Sequence, residues 1–207
     1  MNWEGPIILL GAIALWLWAS YRYMVRPTQG TPIEPRPGAA LLLVDLQTVY
    51  WRDDTYDAQT RARVEAAVAR EAALAQHRDQ PVIAVRQEWA GIGPRLIAWI
   101  AMKGHAVKAS PGTELAAPFA GQADHVVTER FQDGFETGEL DVVLRVLRVG
   151  HLRIAGLDGT GSVARTAQAA INRGYEVTLV SDAIATARKT DFDTVRDSLA
   201  SQGARVI

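Results

Sequence analysis

Acidic and hydroxyl side chains stand at the ends of several apolar runs, where they could take part in chemistry. Ligands of parallel α/β sheets bind beyond the carboxyl ends of the strands, so these residues are the candidates for a site. They are Asp45, Glu88, Glu129, Asp158–Ser162 and Asp182. A carboxyl group can exchange a proton with a substrate, and a serine hydroxyl can attack a carbonyl carbon when a neighbouring base takes its proton.

One of these groups matches a nucleotide-binding pattern. Residues 159–164 read GTGSVA, which fits G-x-G-x-x-A, and Asp182 ends the next apolar run, where an acid could hold a ribose. The alternative is an ordinary tight turn between a strand and a helix. The pattern is short and follows the fourth strand rather than the first, so we predict the turn and no bound cofactor.

The composition excludes several function classes. The chain has no cysteine, which rules out disulfides, cysteine-ligated zinc, iron–sulfur clusters and a cysteine nucleophile. A net charge of -1 gives no overall positive field, so nucleic acid is not an expected partner. The length of 207 residues and the hydrophobic fraction of 48% are those of one folded domain with an appendage.

Residues 39–207 alternate between strand-like and helix-like patterns. The predicted strands are 39–44, 81–85, 125–128, 152–157, 175–180 and 204–207, and the predicted helices are 58–77, 95–102, 138–147, 162–173 and 192–201. A continuous apolar run such as AALLLV at 39–44 is typical of a buried parallel strand. Repeated β-α-β units with short connections predict an α/β fold with a mainly parallel, Rossmann-like sheet covered by helices on both faces.

Residues 1–26 are predicted to form one transmembrane helix that anchors the domain. The stretch 7–19 is apolar, with Glu4 before it and Arg22 and Arg26 after it. With its aromatic ends the segment reaches the roughly 17–25 residues that a span needs. The two arginines place the C-terminal domain on the cytoplasmic side of the membrane. A signal peptide and a buried core helix are the alternatives, disfavoured by the non-basic start and by the length.

Residues 27–38, which read PTQGTPIEPRPG, connect this helix to the domain. Their prolines and glycines prevent a helix or a central strand. The sequence therefore predicts a short, semi-rigid linker that keeps the domain close to the membrane.

Four segments of the domain resemble the isochorismatase-like (cysteine hydrolase) family, in the same order along the chain. They read ALLLVDLQTVYW (40–51), SPGTEL (110–115), VVTERFQDGFETGEL (126–140) and HLRIAGLDGTGSVARTAQAAINRGYEVTLVSDAIAT (151–186). The family includes isochorismatases, nicotinamidases and N-carbamoylsarcosine amidases. The resemblance implies their fold for residues 39–207 and a site made of an Asp, a Lys and a nucleophilic Cys.

Carried over position by position, the resemblance places Asp45 at the Asp, Glu129 at the Lys and Ser162 at the Cys. Two of the three catalytic residues are therefore changed, and Glu129 reverses a charge. A cation helps a thiol to ionise, whereas a serine hydroxyl is weaker and needs an adjacent base. Two neighbouring carboxylates also disfavour a nearby anion. We predict that the three positions are inactive.

Other interpretations of these positions stay open. Ser162 could form a new hydrolytic set with Asp45 and Glu129, or it could only cap its helix. Arg130 could replace the lysine charge, although adjacent residues of a strand point to opposite faces. His125 and His151 begin strands and should lie too far away to act as the base.

No metal site is predicted. Nicotinamidases carry an Asp/His metal cluster, but the resemblance places Arg86, Gln87, Glu88 and Trp89 in that region. The acidic loop around Asp54 lacks the spacing of a calcium loop.

The predicted function is that of an inactive, membrane-anchored accessory or stabilising subunit. Its partner would be an integral-membrane protein complex, contacted through the N-terminal helix and the cytoplasmic domain; an energy-transducing assembly is one candidate. A small-molecule substrate is doubtful. The alternative is a membrane-tethered hydrolase of amides or esters that uses Ser162 with Asp45.

Overall fold

The computed structural model describes residues 4–24, 26–91, 95–96, 99, 104, 106–187 and 189–207. The strands are β1 (Gly38–Val44), β2 (Val82–Gln87), β3 (His125–Glu129), β4 (Val149–Gly156), β5 (Glu176–Ile184) and β6 (Arg205–Val206). The helices are α1 (Glu4–Met24), α2 (Ala58–His77), α3 (Glu139–Val146), α4 (Ser162–Asn172) and α5 (Lys189–Ser201), with a short 3-10 helix at Ala117–Phe119. The helix predicted at 95–102 lies largely outside the described residues.

The strands form one parallel sheet in the order β3-β2-β1-β4-β5-β6. Alternate residues of the central strand β1 face opposite layers: Leu41 and Leu43 pack with α2, and Leu42 and Val44 pack with α3, α4 and α5. Because helices cover both faces, β1 is apolar at every core position rather than at every second one. The predicted three-layer, parallel α/β fold is confirmed.

The carboxyl ends of β1, β3 and β4 meet at one edge of this sheet. β1 ends at Asp45, whose φ of 52° is left-handed and whose N–H donates to the Val85 carbonyl at 2.9 Å. Aspartate tolerates this conformation better than most residues, so the chain can turn sharply there. The turn leaves the Asp45 side chain at the edge of the sheet where the other candidate residues lie.

The predicted N-terminal helix is present as α1, but its prediction as a transmembrane helix needs correction. Among the described residues, no helix combines the length and the apolar character that crossing a membrane requires. The physical reason is the short apolar stretch at 7–19, since Ser20, Tyr21 and Arg22 occupy the end of the helix. Most of its apolar side chains are exposed, among them Ile8 and Trp18.

The linker at 27–38 is irregular up to the start of β1, and it is attached to the domain. The Thr28 N–H donates to Asp133 Oδ2 at 2.7 Å, and Arg173 Nη1 donates to Thr28 Oγ1 at 2.9 Å. Further along, the Ile33 N–H donates to the Arg173 carbonyl at 2.8 Å. These bonds hold the linker against the loop that follows β3 and the end of α4.

Candidate functional site

The structure brings Asp45, Glu129 and Ser162 together at the carboxyl edge of the sheet. Asp45 follows β1, Glu129 ends β3, and Ser162 begins α4 after β4. Their exposed fractions are only 3%, 0% and 2%, so all three are removed from solvent. The Ser162 hydroxyl lies against both carboxyl groups and acts to lower the pKa of each.

Burial outweighs this effect of the hydroxyl at both acids. It raises the pKa of Asp45 to about 7, although the nearby Ser162 hydroxyl and the main chain of Gln87 act to lower it. It also raises the pKa of Glu129 well above its ordinary value, and the charges of Asp45 and Asp133 raise it further. Loss of water and like charge both disfavour the ionised form, so the site prefers to hold protonated carboxyl groups.

The hydrogen bonding of the two acids is incomplete. Neither carboxyl oxygen of Glu129 has a well-aligned hydrogen-bond partner among the described residues, and Asp45 Oδ1 has none either. The contacts from Ser162 are therefore close but poorly aligned. Buried polar atoms are nearly always hydrogen-bonded, so unpaired oxygens of this kind need an explanation.

A cavity of about 260 Å³ reaches Asp45 and Ser162 from the surface side. Tyr50 and Tyr56 form part of its wall, and burial raises the pKa of both phenols. The Tyr50 hydroxyl donates to Gln87 Oε1 at 2.7 Å, which fixes this part of the wall. The cavity is large enough for a small organic molecule.

A larger cavity of about 570 Å³ lies near the opposite edge of the sheet, between the linker and α3. Its wall includes Arg36, Arg145 and Tyr175 and none of the candidate catalytic residues. The larger volume of a cavity therefore does not identify the functional site. The positions of Asp45 and Ser162 identify the smaller cavity as the candidate site.

Two further acids that we expected at the site, Glu88 and Asp182, lie in different surroundings. Glu88 Oε1 accepts from Arg86 at 3.5 Å. Asp182 is 70% exposed near Arg70, because β5 continues to Ile184 instead of ending at 180 as predicted. The prediction that Asp182 joins the site is wrong, whereas Glu88 lies next to Glu129, whose carbonyl accepts the Glu88 N–H at 2.8 Å.

The glycine pattern at 159–164 forms a packed turn. The Asp158 carboxylate accepts the N–H groups of Thr160 at 2.8 Å and Ala187 at 2.9 Å, and so occupies the turn itself. A Cβ added at Gly159 would lie 2.7 Å from the Phe192 ring, so close packing requires the glycine. These contacts favour the strand–helix turn over nucleotide binding.

The helix-cap role considered for Ser162 and the charge role considered for Arg130 are not supported by the structure. The N-cap of α4 is Gly161, and no side chain caps this helix, so Ser162 is its first residue and not its cap. Arg130 pairs with Glu136 at 2.6 Å and is half exposed, so it does not supply the missing lysine charge.

The acidic loop also has structural partners. Asp57 Oδ1 accepts the Thr60 N–H at 2.6 Å and caps α2, while Asp53 pairs with Arg61. Asp54 Oδ1 accepts from Arg52 at 3.0 Å.

Sequence reasoning missed Arg165, which follows Ser162 by three positions on α4. Its Nη1 donates to Gln132 Oε1. Burial lowers the pKa of Arg165, and the negative charges of Glu129, Asp158 and Asp133 act in the opposite direction and raise it. Residues three positions apart share one face of a helix, so the spacing between Ser162 and Arg165 could have indicated that Arg165 lies near the site. A second missed residue is Gln47, whose side chain donates to the Gln87 carbonyl at 3.0 Å and accepts the Gln87 N–H at 2.7 Å.

Comparison with family models identifies the domain: the isochorismatase domain model matches residues 39–207. The chain belongs to the isochorismatase family. The predicted resemblance is thus confirmed, and the fold is that of the isochorismatase-like hydrolases. No functionally curated protein gives a match.

Solved structures of this family superpose over most of the domain. The pyrazinamidase of Pyrococcus horikoshii, in complex with zinc, has 21% identity and a TM-score of 0.71, covering 83% of this chain and 99% of that one. N-carbamoylsarcosine amidase from Thermoplasma acidophilum has 23% identity and a TM-score of 0.70, covering 82% and 95%. A cysteine hydrolase from Pseudomonas syringae pv. phaseolicola has 23% identity and a TM-score of 0.71, covering 88% and 93%. At such identities these similarities show the fold alone.

The described residues of this chain do not fit a zinc ion such as that of the pyrazinamidase structure. Within the described residues, no three His, Cys, Asp or Glu side chains are placed to hold a metal ion. His105 lies outside the described residues. We therefore derive no chemistry from a metal.

Proposed function

We propose that this chain is a catalytically inactive member of its family that acts as an accessory or stabilising subunit of an integral-membrane complex. The observation that carries the loss of catalysis is the environment of Ser162. At the position of the family's nucleophile, its hydroxyl contacts the buried carboxyl groups of Asp45 and Glu129.

This environment opposes each step of the family's reaction. Attack by Ser162 would give an oxyanion, which hydrolases stabilise with hydrogen-bond donors and positive charge. Here the negative charge of the oxyanion would develop beside the carboxyl groups of Asp45 and Glu129. Each of these groups, when ionised, repels that charge. The lysine that the resemblance implies is replaced by Glu129, so the cation that promotes a nucleophile is missing at that position.

Attachment to a complex is supported by the apolar surface of α1. The consecutive residues Ile7, Ile8, Leu9 and Leu10 are 66%, 71%, 61% and 66% exposed. Successive residues of a helix point about 100° apart, so these four face every direction. A helix that is apolar all round is normally buried on all sides. We propose that helices of the partner complex surround α1 and cover its apolar surface.

Detergent extraction of the full-length chain from its native membranes tests the attachment. We expect it to migrate with membrane proteins at a fixed stoichiometry on a native gel. Replacing Leu10 with Asp introduces a charge into the apolar surface and should abolish this co-migration. Tyr21→Phe, a conservative change on the same helix, should leave it intact. Equal co-migration of both variants would contradict the role of α1.

The alternative is a hydrolase that uses Ser162 with Asp45 as its base. The observation that favours it is the raised pKa of Asp45, because a general base works best when its pKa lies near the working pH. An assay of the full-length chain against amides and esters separates the two functions. Turnover that Ser162→Ala abolishes would establish the hydrolase and overturn the proposed inactivity.

A further inference from the structure

The three unpaired carboxyl oxygens mark a place where hydrogen-bond donors are missing among the described residues. Asp45 Oδ1 and both oxygens of Glu129 are buried without a well-aligned partner among the described residues. Where the resemblance implies a lysine, this chain carries Glu129, so the charge at that place changes sign. Buried charges are normally paired, which makes a cation the natural complement of this pair of acids.

The cavity beside them offers a route for such a cation. Asp45 and Ser162 line it directly, and Glu129 lies against Ser162. A second acid, Asp158, also lines the cavity, while the cation Arg52 on its wall pairs with Asp54. The polar end of the cavity is therefore acidic.

The shape and the wall of the cavity favour an organic cation over a metal ion. The part of the chain that the structure describes places no trio of metal-binding side chains. Two tyrosine rings, Tyr50 and Tyr56, line the cavity instead. Aromatic rings contact organic cations favourably and also accept an apolar body. A volume of about 260 Å³ accommodates a molecule with one ring.

We propose that this cavity binds a small organic amine, with its ammonium group against Asp45 and Ser162 and its apolar part between Tyr50 and Tyr56. The inference rests on the proposed loss of hydrolysis, because the amine occupies the place where a substrate carbonyl would meet the nucleophile. The ammonium group supplies a positive charge and the missing hydrogen-bond donors, and its N–H groups donate to Asp45 Oδ1.

Binding of the amine is linked to proton release. Burial raises the pKa of Asp45 to about 7, so part of the population must lose a proton before it pairs with the ammonium. The titratable and charged groups that act on this site are Glu129, Asp133, Asp158, Tyr50, Tyr56, Arg52 and Arg165. Ammonium and proton compete for the same oxygens, so the amine binds more tightly at pH 8 than at pH 6.

Calorimetric titration of the full-length chain in detergent at pH 8 tests the proposal with three probes of one shape: benzylamine, benzyl alcohol and benzoate. We expect benzylamine to bind at least about tenfold more tightly than benzyl alcohol, because only the amine pairs with the acids. Benzoate should not bind. Absence of benzylamine binding, or equal binding of the amine and the alcohol, would overturn the proposal.

Two variants of the site and one control complete the test. Asp45→Asn and Glu129→Lys should each weaken benzylamine binding by about tenfold or more, the first by removing the partner and the second by adding a competing ammonium group. Asp182→Asn removes an exposed carboxyl outside the cavity and should change nothing. If Asp45→Asn fails to fold, Glu129→Lys still decides, since it introduces the residue that the family resemblance implies; unchanged binding in that variant overturns the proposal.

A hydrolysis assay on the same preparation separates this proposal from the proposed function. Failed amine binding without Ser162-dependent turnover rejects the ligand class and leaves the loss of hydrolysis intact. Amine binding together with Ser162-dependent turnover supports the ligand class and rejects the loss of hydrolysis.

Discussion

Glu129 lies close enough to Asp45 for the charge of Asp45 to raise the pKa of Glu129, although β2 separates their strands. Glu129 is in register with Gln87 on β2, and Asp45 directly follows the residue of β1 that is paired with Val85. The parallel register therefore brings two acids to one buried place. Like charges so close cannot both ionise easily, and this makes the site unfavourable for an anionic nucleophile.

The first prediction concerns pH and stability. The folded-state pKa of Asp45, about 7, exceeds the ordinary value of 3.8, so the folded chain binds this proton more tightly than the unfolded chain. The associated stability is present below pH 3.8, declines as the pH rises and is lost above about 7. Each pKa unit corresponds to about 1.4 kcal/mol. Glu129 acts in the same direction.

Urea unfolding of the full-length chain between pH 5 and pH 8 measures this effect. The free energy of unfolding should fall with rising pH, and Glu129→Gln should make the fall smaller because an amide does not ionise. Asp182→Asn, which changes an exposed acid, should retain the wild-type slope. A wild-type chain whose stability increases over this range would refute the account of the two acids.

The second prediction concerns a thiol placed at the nucleophile position. Ser162→Cys should react slowly with iodoacetamide at pH 7, because the neighbouring acids and the burial raise the thiol pKa. Adding Glu129→Lys supplies a cation and should accelerate alkylation by about tenfold or more. Mass spectrometry measures the rate. Equal rates in the single and double variants would show that Glu129 does not control ionisation at this position.

The third prediction concerns the attachment of the linker. Arg173 is 3% exposed, contacts the Phe135 ring at 4.5 Å, pairs with Asp141 at 3.0 Å and donates to Thr28. Arg173→Ala should destabilise the domain by about 2 kcal/mol through the lost contact with the Phe135 ring and the lost hydrogen bonds, since the Asp141 carboxylate is partly exposed and stays hydrated. It should also speed tryptic cleavage at Arg36. Cleavage at the wild-type rate would show that these contacts do not hold the linker.

The fourth prediction concerns the glycine turn. A Cβ added at Gly159 would meet the Phe192 ring at 2.7 Å and Ile184 at 3.0 Å. Gly159→Ala should cost about 1–3 kcal/mol of stability through overpacking, and combining it with Phe192→Leu should cost less than the two changes in sum. Gly161→Ala is the matched control, since its nearest neighbour, in Asp158, is 3.5 Å away. Equal costs at both glycines would contradict the packing explanation.

The sequence predicted correctly those helices and strands whose ends are set by neighbouring residues in the chain. α2 begins and ends where it was predicted, because Asp57 caps it and its apolar residues recur at helical spacing. The run at 39–44 identified the central strand, since a strand buried on both faces must be apolar throughout. The site positions Asp45, Glu129 and Ser162 followed from the family resemblance and the rule for strand ends.

The remaining features depend on tertiary contacts, which local sequence patterns do not reveal. β5 continues past Ser181 and Asp182 because Ala183 and Ile184 return to the core, so Asp182 is part of the strand. The apolar stretch at 7–19, which suggested a transmembrane helix, is shorter than α1, which spans Glu4–Met24. The role of Arg165 depends on Gln132, which belongs to a distant loop.

The most direct test of the central claim is the reactivity of Ser162 itself. The full-length chain is incubated with diisopropyl fluorophosphate, which modifies activated serines, and the intact mass and its fragments are measured. We predict no adduct at Ser162, because its hydroxyl lies near two buried acids that oppose its ionisation. A stoichiometric adduct at Ser162, absent in Ser162→Ala, would show an active nucleophile and contradict the account.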